Sequence, residues 1–210
     1  MEWRLWQPAT RDLILQSDVS GELLVDIGSG SHLVPGDEFP GGQQEGAEEL
    51  LQDEGGCSLD WTPFLQHVCK LEGRRPSAWT EKAARLRQVI VDIVPIDVNR
   101  PQPLAHDALP SAGADCLVSC FCLESAFTRA LGHIGRLLRP GGHLLLIGTL
   151  GMSYYMAGAG VKIPTVPVNE AQVCASLKES GYTLIRNEDA TTICISCFLI
   201  SDLYCITALY

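Results

Sequence analysis

Leu23–Gly42 reads LLVDIGSGSHLVPGDEFPGG. The apolar run Glu22–Ile27 ends at a glycine, which predicts a short buried strand. Asp26-Ile27-Gly28-Ser29-Gly30 then reads as the tight loop after that strand. Glycine there lets the backbone turn sharply and lets a ligand approach the main chain. The loop is D-x-G-x-G and not the G-x-G-x-x-G of dinucleotide folds, because Leu33 stands where the third glycine belongs. Val34–Gly42 is too rich in Pro and Gly to continue as helix or strand.

Outward from this loop, strand and helix signals alternate. Glu45–Asp53 and Trp61–Leu71 read as helices separated by Gly55-Gly56. Trp79–Ile90 reads as an amphipathic helix with Ala83, Leu86, Val89 and Ile90 on one face. Asp92–Val98 reads as a strand running into the Pro-rich loop Asn99–Pro110, and Ala114–Phe121 as an apolar strand. Ala126–Leu138 reads as a helix stopped by Arg139-Pro140-Gly141-Gly142, followed by a buried strand, His143–Leu150. Asn169–Ser180 reads as a helix with Asn169 as its cap and Gly181 as its stop. Tyr182–Arg186 and Thr192–Leu209 read as strands, with a break near Ser201-Asp202. This order predicts an α/β fold: a mostly parallel sheet with helices on both faces. In such sheets ligands bind at the carboxyl ends of the strands.

The totals narrow the function. A chain of 210 residues predicts a single domain spanning 1–210. Hydrophobic residues make up 46% of it, yet they form only short runs, so no membrane segment is expected. A formal charge of −10 argues against nucleic acid or anionic membrane as a partner. Met1–Asp12 has no apolar core of a secretory signal, and an odd count of nine cysteines reads as free thiols, which predicts a cytoplasmic protein. Cys194 and Cys197 form a CxxC with no second ligand pair, so no metal is expected.

The candidate site lies after the strands. A D-x-G-x-G loop without the third glycine favours S-adenosylmethionine over NAD. Asp97, in Pro95-Ile96-Asp97-Val98, suits an acceptor for an exocyclic amine such as that of adenine. Phe121 with Glu124, in Cys120-Phe121-Cys122-Leu123-Glu124, suits a flat cationic substrate. Each has a plainer alternative: a structural turn, a loop cap, and an acid favoured at a helix start.

These stretches, together with GGCSLDWTPFLQHVCKLEG, ALGHIGRLLRPGGHLLLIGTL and SYYMAGAGVKIPTVPVNEAQVCASLKESGY, resemble one family over roughly two thirds of the chain. It is the small-molecule N-methyltransferases acting on phenylethanolamines, nicotinamide and indolethylamines, with the phenylethanolamine branch nearest. The resemblance implies a Rossmann-like class I methyltransferase sheet that binds S-adenosyl-L-methionine and methylates a small aromatic amine. It implies cofactor contacts at Asp26, Gly28, Gly30, Asp97, Val98 and Cys120, and substrate contacts at Phe121, Glu124 and Tyr155. A monomer is expected.

The mismatches to the family are abrupt. Residues 1–20 do not match the family's tyrosine-rich lid, and 186–210 also diverge. The helix and strand after the glycine loop, with their ribose-binding acid, have no counterpart, so one sheet strand is expected to be missing. Met152 stands where the family carries its catalytic acid. These departures leave a catalytically impaired relative as one alternative. An NAD-linked or redox module using Gly28–Gly30 and the CxxC is another, and the absent third glycine argues against it.

Overall fold

A computed structural model describes residues 21–28, 62–105, 108–123, 127–157, 161–195 and 198–210. The expectations for Gly30, Glu124, the lid segment, the Val34–Gly42 loop, the Glu45–Asp53 helix and Cys197 lie outside the described residues.

Seven strands are described: β1 (Leu24–Ile27), β2 (Ala114–Cys120), β3 (Leu138–Thr149), β4 (Tyr154–Ala157), β5 (Val161–Pro164), β6 (Thr183–Ile195) and β7 (Phe198–Leu209). The helices are α1 (Thr62–Leu71), α2 (Trp79–Val89), α3 (Phe127–Ile134) and α4 (Glu170–Glu179). The main sheet has the order β1-β2-β3-β7-β6, and β4–β5 is a separate hairpin. β1, β2 and β3 are parallel neighbours. β7 is antiparallel to both β3 and β6, so four of the five strands share one direction. The predicted α/β sheet is therefore present, with β7 as its one reversed strand.

The centre of the sheet is buried on both faces, which is why β2 and β3 read as nearly continuous apolar runs. Leu144 and Leu146 face one cluster with Leu117, Ala130, Leu131, Ile134, Val173 and Leu177. The alternate residues Leu145 and Ile147 face a second cluster with Cys116. Fully burying one such side chain contributes about 1.5–3 kcal/mol. Helices α3 and α4 supply the first face. Asn169 caps α4 as expected, and Gln172 completes a reciprocal capping box that satisfies two otherwise unpaired N–H groups.

Five local expectations are corrected. Asp92–Val98 forms no strand; residues 90–97 are irregular, and Val91 is 91% exposed. A strand needs a ladder partner, and the only described partner of β1 is β2. The same shortage of neighbours leaves Leu24 in β1 56% exposed, so this strand is buried on one side only. Helix α2 forms, but of its predicted apolar face only Ala83 is buried. The break expected near Ser201-Asp202 falls inside β7, and the chain reverses between Ile195 and Phe198 instead. Finally, the predicted Ala126–Leu138 helix tightens into a 3-10 turn at Gly135–Leu137, and β3 starts at Leu138. Gly141 there takes φ +75, and its N–H donates to the carbonyl of the last residue, Tyr210, at 2.7 Å.

Asp115 ties the amino ends of three strands together. Its carboxylate accepts from the backbone N–H groups of Glu22 (2.8 Å) and Leu23 (2.9 Å) and from Arg139 Nε (2.5 Å). The Leu23 bond, then Arg139, then the Glu22 bond hold its pKa down at about 2. A depressed carboxylate pKa contributes stability above the unfolded value of 3.8 and loses it as pH falls through about 2. Wild-type protein is therefore expected to exceed Asp115→Asn in Tm at pH 6, with the gap closing between about pH 4 and pH 2. Thermal unfolding of the pair across that range checks it.

Candidate functional site

The parallel register brings the tips of β1, β2 and β3 to one edge of the sheet. Ile27 pairs with Ser119 and Cys120 with Ile147, so Gly28, Phe121 and Gly148 follow at the carboxyl ends. Gly28 takes φ +92, a conformation that L side chains rarely adopt. A Cβ added there would lie 2.5 Å from Cys122 Cβ and 2.6 Å from its Sγ. Cys122 Sγ in turn donates to the Ile27 carbonyl at 3.0 Å and lies 2.9 Å from Ser119 Oγ. The glycine loop and the turn after β2 are thus locked against each other.

Phe121 has φ +55, the one described non-glycine residue with positive φ. A bulky side chain in this region costs on the order of 1–3 kcal/mol, and such strain concentrates at functional sites. Its N–H donates to the Ile147 carbonyl at 2.9 Å, so the strained turn is pinned to the tip of β3. Sequence reasoning singled out this ring, but nothing local announced its backbone. Cys120 precedes it at the end of β2, half-buried.

Asp26 lies one residue before the tip of β1. It keeps an exposed surface, yet crowding around the carboxyl raises its pKa. Thr149, at the tip of β3, was not anticipated. It is 2% exposed, and its hydroxyl has no hydrogen-bond partner among the described residues. The only sequence signal was its place as the polar residue closing an apolar run.

Asp97 and Val98 occupy an irregular loop, held separately. Asp97 accepts Asn99 N–H on Oδ1 (3.0 Å) and Arg100 Nε on Oδ2 (3.0 Å). Its own N–H donates to the Pro103 carbonyl at 2.9 Å, which closes the loop. The Asp97 side chain is 49% exposed. A carboxylate has about four acceptor positions, so two remain for a ligand amine. Ile96 and Val98 pack against the main core and set the loop's depth.

Beyond β3, the Met152 carbonyl accepts from Thr165 Oγ1 at 2.6 Å. Met152 thus sits at the foot of the β4–β5 hairpin, which carries Tyr155 opposite Ile163. Lys162 Nζ lies 4.3 Å above the Tyr154 ring on the same hairpin. Among the described residues no His, Cys, Asp or Glu group is placed to hold a metal ion, and no helix is long and apolar enough to cross a membrane.

A glycine tip packed against the turn after β2, an exposed acceptor carboxylate and a strained aromatic at the next tip are what the described residues offer a ligand. The model of the NNMT/PNMT/TEMT family matches residues 44–203. Phenylethanolamine N-methyltransferase of Bos taurus is 43% identical over 178 residues, 76% of this chain and 62% of the relative. The Homo sapiens protein of the same name is 41% identical over 79% of this chain and 64% of its own. Nicotinamide N-methyltransferase of Homo sapiens is 37% identical over 79% of this chain and 68% of its own. The chain thus spans a little under two thirds of the phenylethanolamine N-methyltransferases it matches. Among solved structures, the CurJ carbon methyltransferase superposes with TM-score 0.50 at 16% identity, covering 98% of this chain and 54% of that one. The cyclase SpnF also reaches 0.50 at 16% identity, covering 97% of this chain and 82% of that one. These two likenesses concern the fold.

Proposed function

The chain belongs to the NNMT/PNMT/TEMT family, and from that premise we propose that it is an S-adenosylmethionine-dependent N-methyltransferase acting on a small aromatic amine of the phenylethanolamine type. The observation that carries this reading is 41–43% identity to phenylethanolamine N-methyltransferases over more than three quarters of the chain, joined to a strand-tip geometry that suits the two ligands.

S-adenosylmethionine, when bound, would supply an activated methyl group on its sulfonium for in-line transfer to a neutral amine nitrogen, with S-adenosylhomocysteine as the leaving group and the proton of the methylated ammonium passing to solvent. The chain's own task is placement, which lowers the barrier by making the encounter effectively unimolecular. Gly28 and Gly30 give main-chain approach to the methionine and ribose part, with Asp26 and Cys120 flanking the cofactor. Asp97 accepts from the adenine amine and Val98 lines its ring. Phe121 stacks on the substrate ring, Glu124 meets its amine, and Tyr155 is a further substrate contact. Met152 brings no proton acceptor to the place where the family has its acid, so the amine arrives unprotonated or loses its proton to solvent. The chain works as a monomer in the cytoplasm, and its acidic charge keeps it from nucleic acid.

Calorimetric titration of the full chain with S-adenosylhomocysteine tests the proposal. Saturable 1:1 binding is expected, followed by transfer of a labelled methyl group from S-adenosylmethionine to phenylethanolamine. A folded chain that binds no S-adenosylhomocysteine would overturn it.

A further inference from the structure

The loop that carries Asp97 and Val98 is held by two side chains outside the core face, His133 on helix α3 and Arg136 on the 3-10 turn that continues it. His133 Nδ1 lies 2.9 Å from the Val98 carbonyl oxygen. A carbonyl only accepts, so Nδ1 carries the proton and donates. One turn on, Arg136 Nη1 donates to the Pro101 carbonyl at 3.0 Å. Their helix neighbours Ala130, Leu131, Ile134 and Leu137 are buried, so α3 is a fixed base. Apolar packing of Ile96, Val98 and Leu104 against the core sets its depth, but among the described residues it has no ladder partner, Pro101 and Pro103 lack an N–H, and its internal hydrogen bonds converge on Asp97.

We propose that His133 and Arg136 are positioning residues that set the Asp97–Val98 main chain for recognition of the cofactor's adenine. His133 fixes the carbonyl of Val98 itself, so it orients the peptide next to the Asp97 carboxylate. Arg136 fixes the far side of the same loop and stops it pivoting about the His133 bond. Neither side chain touches the cofactor. Both act through the loop, with α3 and its 3-10 extension as the rigid element that holds it. The inference rests on the S-adenosylmethionine reading above.

The test titrates wild type, His133→Ala, His133→Asn and Arg136→Ala with two probes: S-adenosylhomocysteine and its deaminated analogue S-inosylhomocysteine, which lacks the adenine amine. Each alanine variant is expected to weaken S-adenosylhomocysteine binding roughly 5-fold, the worth of one net hydrogen bond. His133→Asn keeps a donor near the Nδ1 position and is expected to restore most of the affinity. S-inosylhomocysteine should bind wild type and alanine variants alike, because it cannot use the amine contact that the loop aligns. Alanine variants that bind S-adenosylhomocysteine as wild type does, or that lose both probes equally, overturn the inference. Arg136 is exposed, so its alanine variant keeps the test open even if His133→Ala unfolds. Wild type failing to bind S-adenosylhomocysteine would instead sink the cofactor reading itself, and the two failures are distinguishable.

Discussion

Replacing Gly28 with alanine is expected to weaken S-adenosylhomocysteine binding on the order of 100-fold. Two costs combine. The φ of +92 is strained for any residue with a Cβ. The new methyl group also meets Cys122 Cβ at 2.5 Å, far inside contact distance, and Cys122 is held by Ile27 and Ser119 and cannot simply swing away. The loop must therefore move off the tip of β1, and the main-chain surface offered to the cofactor is lost. Adding Cys122→Gly to the alanine variant removes the overlap and leaves the strained φ, so only part of the affinity should return. Calorimetry on the wild type, the single variant and the double variant separates the two costs. An alanine variant that binds as tightly as wild type would mean that the β1 tip is not the cofactor loop.

Replacing Asp97 with alanine is expected to cost roughly 10- to 100-fold in S-adenosylhomocysteine affinity, the range for losing a hydrogen bond to a charged group. The carboxylate also organises its own loop, accepting from Asn99 N–H and Arg100 Nε. Arg100→Gln provides the contrast. Arg100 is 77% exposed, and an ion pair this open to water contributes little. Its removal should leave affinity unchanged or slightly improved, since it frees an acceptor position on Asp97. If Arg100→Gln proved as damaging as Asp97→Ala, the carboxylate would matter as a loop brace rather than as the acceptor for adenine. Titration of both variants with S-adenosylhomocysteine decides between these.

The glycine tip, the aromatic after β2 and the bounds of α1, α2 and α4 were legible because each depends on near neighbours in the chain. Gly28 ends an apolar run and Asn169 sits at a helix start, and these signals need no distant partner; Arg139–Gly142 was read as a helix stop and lies inside β3. Strand Asp92–Val98 was read from the same kind of signal and is absent, because strand propensity is realised only when a ladder neighbour exists. The apolar face of α2 was legible as a pattern, but whether anything covers it depends on segments far away in sequence.

The amino-acid sequence by itself determined the alternation of strand and helix and the family, since these are carried by residue type and local spacing. Only the tertiary structure decided that β7 runs reversed between β3 and β6, that Phe121 takes φ +55 while bonded to Ile147, and that His133 reaches the Val98 carbonyl. Each of these joins residues more than twenty positions apart or depends on such a join. The free energy that selects them comes from pairing and burial across the fold, and no short stretch of sequence carries it.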